Sequence, residues 1–220
     1  MDTERTTEAL QRYVLDPGEP VEQVWTGPAS VTVRTARFRY LARPAQWAVA
    51  DEEWVAEAVR VLAARQPIFV SHGLVFTGSG ETLHLNRPEV MADLGRRVGA
   101  GLPPLAYAEL LGELYSAWEI DGPVVRPFSA TEGTRAGWLV CDADHFTDVL
   151  SVPDAPAVTP PTFERAADGD WTLRFFSHNC YPLEIRSAVD VHRWTVTGGP
   201  GRAASWDREA VAARVARPLP

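Results

Sequence analysis

Apolar residues recur along this chain with two different periods, and each switch between them marks a predicted element. Leu10 and Val14 sit on one face of a short helix over 6–15, which the run Asp16-Pro17-Gly18 stops. Val21 to Trp25 and Ala29 to Tyr40 then read as strands. In the second, Val31 and Val33 alternate with Thr32 and Arg34, and the alternation changes phase near Ala36, as a β-bulge would cause. From Asp51 the period lengthens. Trp54, Val55, Ala58, Val59, Val61 and Leu62 form an apolar stripe at helical spacing up to Arg65, with Asp51 as cap and Glu52 and Glu53 at the positive end of the dipole.

After Pro67 the pattern shortens again, predicting strands at 68–70, 74–76 and 82–85 around Ser71-His72-Gly73. Pro88 suits a first helical position, and Val90, Met91, Leu94 and Val98 follow at helical spacing. A second helix runs from Pro104 to Trp118, and the short link between the two predicts a packed helical hairpin. Strands are expected at 124–128 and 138–141, and a short helix from Asp142. A proline-rich connection over 151–161 is the best subdomain boundary. Thr162–Arg165 and Trp171–Ser177 form a hairpin about Asp168-Gly169-Asp170, Val189–Thr197 adds a strand, and Ser205 caps a last helix over 206–215. The expected fold class is α+β: one globular domain in which an antiparallel sheet carries helices on one face, with the helical hairpin at its centre.

Composition narrows the chemistry. The 220 residues are 45% hydrophobic and 23% charged, as in ordinary globular proteins, and eight tryptophans supply anchors for a core or for a concave pocket. All 21 basic residues are arginine. With no lysine there is no Schiff-base nucleophile, no lysine-held pyridoxal phosphate and no phosphate-loop lysine. Arginine used in place of lysine, with abundant Ala, Gly, Pro and Val, suggests a GC-rich bacterial genome. A net charge of −8 argues against nucleic acid and against an anionic membrane surface as partners. The polar start MDTERTTEAL has no leader-like run, and Cys141 and Cys180 are too few for a disulfide framework, so a reducing cytoplasm is expected.

Three motifs invite a chemical reading. Gly199-Pro200-Gly201-Arg202-Ala203-Ala204 fits a dinucleotide fingerprint, but too little chain follows it for the second half of a nucleotide-binding unit. It reads instead as a tight strand-to-helix turn. Cys141, Asp142, Asp144, His145 and Asp148 could surround a divalent metal, though first-turn acids and a buried cysteine explain them more simply. The third motif lies between Trp171 and Trp194. His178 shares a strand face with Arg174 and Phe176, and Cys180 continues it if the strand persists. His192 shares a face with Asp190 and Trp194. His178, Cys180, Asp190 and His192 are therefore the candidate catalytic set, with an imidazole to activate the thiol and a carboxylate to orient an imidazole. Whether His178 and His192 meet depends on strand register. No cofactor is indicated.

The leading expectation is a binding or accessory protein for a small molecule, a peptide or a partner protein such as an enzyme, in a bacterial biosynthetic pathway. The rival is a cytosolic enzyme using the His/Cys/Asp cluster for acid–base, nucleophilic or metal-assisted chemistry.

Overall fold

The structure, a computed structural model, describes residues 1–45, 57–63, 71–115, 138–140, 157–183 and 186–218. Its contacts divide the chain into two compact units, Met1–Val90 with Glu119–Gly133, and Met91–Trp118 with Thr134–Pro220.

The first unit opens with helix α1 (Thr3–Tyr13). Asp2 caps it, its carboxylate accepting the backbone N–H of Arg5 at 3.1 Å. Six antiparallel strands follow in spatial order identical to chain order: β1 (Val21–Gly27), β2 (Ser30–Thr35), β3 (Arg39–Pro44), β4 (Glu57–Ala63), β5 (Ser71–Phe76) and β6 (Thr82–His84). Register places Val31, Val33, Tyr40, Ala42, Val59, Val61, Leu74 and Phe76 on one face of this sheet. Leu10, Val14 and Leu15 pack there to complete a buried core. Period-2 alternation in β2 and β3 produces this face directly.

In the second unit α2 (Pro88–Leu94), which begins in the first, leads through a 3-10 turn at Gly95–Arg97 to α3 (Pro104–Tyr115). The sheet comprises β7 (Trp138–Val140), β8 (Thr162–Arg165), β9 (Trp171–Leu183), β10 (Arg186–Gly199) and β11 (Arg202–Pro218). Its order is β11-β10-β9-β7, and β8 pairs along β9 beside β7. Helix α3 packs on β7 and β9, with Tyr107 edge-on to Trp171 at 6.4 Å between ring centroids. Beneath it Trp171, Leu173, Phe175, Trp194 and Val196 form a core no more than 3% exposed.

Several expectations need correction. Among the described residues the protein is sheet-dominated, with three short α-helices, and is not an α+β fold with a central helical hairpin. The helix predicted over 51–65 is strand β4 across 57–63, and the helix predicted over 206–215 lies within strand β11. Both segments are rich in Ala, Glu and Arg and carry apolar residues at a spacing that serves either period. What decides is pairing on the sheet, since β4 is hydrogen-bonded on both sides and β11 lies along most of β10.

The phase change near Ala36 is a hairpin turn, not a bulge. Thr35 closes it, its N–H donating to the Phe38 carbonyl at 2.9 Å while its hydroxyl accepts from the Phe38 N–H at 3.0 Å. The true bulge in this ribbon lies at Val21/Gln23. Gly199 to Arg202 joins strand to strand rather than strand to helix, with Gly201 at φ +69° supplying the left-handed turn residue. Helices α2 and α3 do not form the expected hairpin layer, because α3 spends its apolar surface on β7 and β9. The strands expected at 68–70 and 124–128, the Cys141–Asp148 segment and residues 151–156 of the proline-rich connection lie outside the described residues.

Candidate functional site

The pairing of β9 with β10 runs without a slip from Trp171↔Gly198 to Leu183↔Arg186. In it His178 lies opposite Val191 and His192 opposite Ser177. Directly opposed residues in an antiparallel pair share a face, and neighbours along a strand do not. His178 and His192 therefore lie on opposite faces of the ribbon, and the register does not bring them together. His192 faces the α3 side, with Ser177, Phe175 and Trp194. His178 shares the other side with Phe176 and Val191. Both imidazoles are buried. Asp190 stands on the His192 face at the position paired with Asn179, and Cys180 occupies the position paired with Val189.

What the ribbon does build is an aromatic lock. Trp194 stacks on Phe175 with ring planes 9° apart and centroids 5.4 Å apart. Its indole N–H donates to the Ser177 hydroxyl at 2.8 Å, so the polar end of a fully buried tryptophan is satisfied from the neighbouring strand. The guanidinium of Arg208 on β11 lies over the same indole at 5.8 Å.

A second pair of histidines does meet. His72 on β5 and His84 on β6 are diagonal neighbours on the core face of the first sheet, because Leu74 pairs with His84. Their rings stack at 5.4 Å, and His72 Nδ1 lies 3.1 Å from His84 Nε2, one nitrogen carrying the shared proton and the other accepting it. Tyr13 of α1 packs on His84 at 5.2 Å. Asn86 closes the site, accepting from Gly73 N–H and donating to the Ser71 carbonyl, both at 2.9 Å. Burial, reinforced by the charge of His84, pushes the His72 pKa down to about 3. Burial and then Arg87 bring His84 down to about 4, against an opposing hydrogen bond from Asn86. The pair is neutral at physiological pH and acts as a buried hydrogen-bonded link between β5 and β6, on which Tyr13 of α1 packs. In the sequence Ser71-His72-Gly73 reads as a break between strands, whereas His72 lies inside β5, and the 12 positions between it and His84 leave no local pattern to pair them. Folding the strands about the Thr77–Glu81 turn, where Thr77 N–H donates to the Glu81 carbonyl, is the signal that aligns them.

The exposed surface has its own concentration of features. β1 pairs with β2 on one edge, and among the described residues no strand pairs with the other. Its five central residues are all exposed, and Val24 at 37% and Trp25 at 39% are two of the three exposed large hydrophobic residues among those described. Trp25 stands on the face away from α1, opposite Thr32, while Thr26 meets Thr3 of α1 at 3.2 Å on the other side. Arg39 reaches over the Trp25 ring, its guanidinium carbon 5.6 Å from the centroid.

Among the described residues no group of three or more His, Cys, Asp or Glu is arranged to hold a metal ion, and no helix is long and apolar enough to cross a membrane. Compared with known proteins, the chain matches no family model, no curated sequence and no solved structure.

Proposed function

We propose that the protein is a cytoplasmic binding protein that takes an extended segment of a peptide or partner protein along the edge strand β1. The observation that carries this reading is the coincidence of a strand edge that no described strand pairs with and the exposed Val24 and Trp25. An edge strand offers a row of backbone donors and acceptors to an incoming strand, and soluble proteins usually blunt such an edge with charge or a bulge. Here the bulge at Val21/Gln23 limits the regular edge to Gln23–Gly27, and that short stretch carries the apolar anchors. Trp25 is 39% exposed, so covering the remainder of an indole-sized side chain removes about 100 Å² from water and contributes about 2 kcal/mol. Backbone pairing adds direction and register to that anchor.

Selection of a displayed library of random linear peptides against the whole protein tests the reading. Enriched peptides are expected to bind the wild type and to lose affinity about tenfold or more to Trp25→Ser and to Val24→Lys, which places a charge on the edge. Enriched peptides that bind both variants as tightly as the wild type, or a selection that enriches none, would sink it.

A further inference from the structure

The face of the first sheet that turns away from α1 carries a charge opposite to that of the protein as a whole. Register aligns Gln23, Arg34 and Arg39 across β1, β2 and β3, and next to them Trp25, Thr32 and Leu41. Arg43, two residues beyond Leu41, returns to the same face, and Arg34, Arg39 and Arg43 are all exposed. Three exposed arginines on one small face stand out in a chain with 29 acidic residues and a net charge of −8. Arg34 has a counter-ion in Glu22 at 3.1 Å, whereas Arg39 lies over the Trp25 ring. To do so it reaches from β3 across β2 to β1. Its guanidinium therefore stands above the edge strand, about one strand spacing, roughly 4.8 Å, from any strand added there.

We infer that the segment bound at β1 is an acidic strand of another protein, with Asp or Glu at the alternate positions that fall beside Trp25 and an apolar residue between them beside Val24. This rests on the edge-strand reading given above and names the chemistry of its partner. A carboxylate on the outward positions of the added strand meets the Arg39 guanidinium in a charge-assisted hydrogen bond, with Arg34 and Arg43 adding favourable field. The intervening side chain points to the α1 side, where Val24 is exposed at 37%. A lysine or arginine at the outward positions is repelled, so the same arrangement that attracts the acidic strand rejects a basic one.

Titration calorimetry on the full chain tests this with three probes: a short peptide alternating glutamate and valine, its serine–valine counterpart and its lysine–valine counterpart. The glutamate peptide is expected to bind at least tenfold more tightly than the serine peptide, the lysine peptide not at all, and added salt is expected to weaken the first much more than the second. Arg39→Gln is expected to remove most of the preference, with Arg43→Gln as a second, independent exposed position, while Trp25→Ser weakens every peptide. Equal binding of the glutamate and serine peptides, with both still sensitive to Trp25→Ser, overturns the acidic partner and leaves the edge reading standing. Peptide binding insensitive to Trp25→Ser overturns both. Displacement of the glutamate peptide by inorganic polyphosphate at equal charge overturns a peptide-specific site. Sedimentation showing a dimer that Val24→Lys dissociates replaces the acidic partner with a second copy of the chain.

Discussion

Acidification loads the His72–His84 pair with protons that the fold cannot accommodate, and the size of the effect follows from its geometry. The two rings share one proton across 3.1 Å, so adding a proton to each puts N–H against N–H at the contact. In the folded state the pKa values lie at about 3 and about 4, against an ordinary histidine near 6.5 in the unfolded chain. The unfolded chain therefore binds protons that the folded chain refuses. Stability from this source is intact above about pH 6.5 and falls as pH decreases toward the folded values. Each histidine contributes a loss of about 1.4 kcal/mol per pH unit in that window, hence about 2 kcal/mol each and roughly 4 together by pH 5. A typical domain has only about 5–15 kcal/mol in total. Urea unfolding at a series of pH values between about 7.5 and 5, on the wild type and on the double variant His72→Phe/His84→Leu, measures the term. Replacing both rings leaves no orphaned partner, and the surface carboxylates titrate alike in the two proteins. The wild type is expected to lose stability faster than the variant, by a little under 3 kcal/mol per pH unit over the steepest part. Parallel stability curves would refute the account.

Two further outcomes concern the second sheet. Ser177→Ala leaves the Trp194 indole N–H buried without its acceptor and is expected to lower unfolding free energy by about 1–3 kcal/mol, read by chemical denaturation, whereas Ser177→Thr retains most of it. Gly198→Ala drives a methyl group to 2.3 Å from the Trp171 ring, which is itself 3% exposed and held by Tyr107 and Phe163; a loss of about 3 kcal/mol, or failure to accumulate as folded protein, is expected. A thermal midpoint unchanged in Gly198→Ala would show that Trp171 can move aside.

Which parts of this architecture can be read from sequence follows from how local their causes are. The stop after helix α1 and the Pro88 start of α2 are visible, because stops and first-turn chemistry act within a few residues, whereas α1 begins at Thr3 under an Asp2 cap and not at Thr6. The same holds for the hairpin about Gly169, whose φ of +90° suits glycine. The β4 and β11 segments mislead for the opposite reason. Runs such as Glu209-Ala210-Val211-Ala212 favour a helix in isolation, and only pairing with β10 holds them extended. Site geometry is less legible still. The faces of His178 and His192 are each correctly given by alternation within a strand, yet their separation depends on a single residue of register between strands. His72 and His84 meet for the same kind of reason. The arginine face was present as alternation in Arg34, Arg39 and Arg43, but its three members join only once Ala36–Arg37 is a turn.

The consecutive order of the first sheet also sets how the chain can assemble. Each strand pairs with the one just made, so the meander can form as a zipper of hairpins with short loops to close. Helix α1, made before the strands it packs on, completes its contacts only after them. Arg5 donates to the Glu81 carbonyl at 2.9 Å and Tyr13 to the Thr82 carbonyl at 3.2 Å, contacts that span 76 and 69 residues. Until the β5–β6 turn has been synthesised, the helix lacks these two hydrogen bonds and keeps only its contacts with β1 and the strands already made. A chain halted before Glu81 therefore leaves apolar surface of the first sheet exposed, the condition that favours aggregation during synthesis.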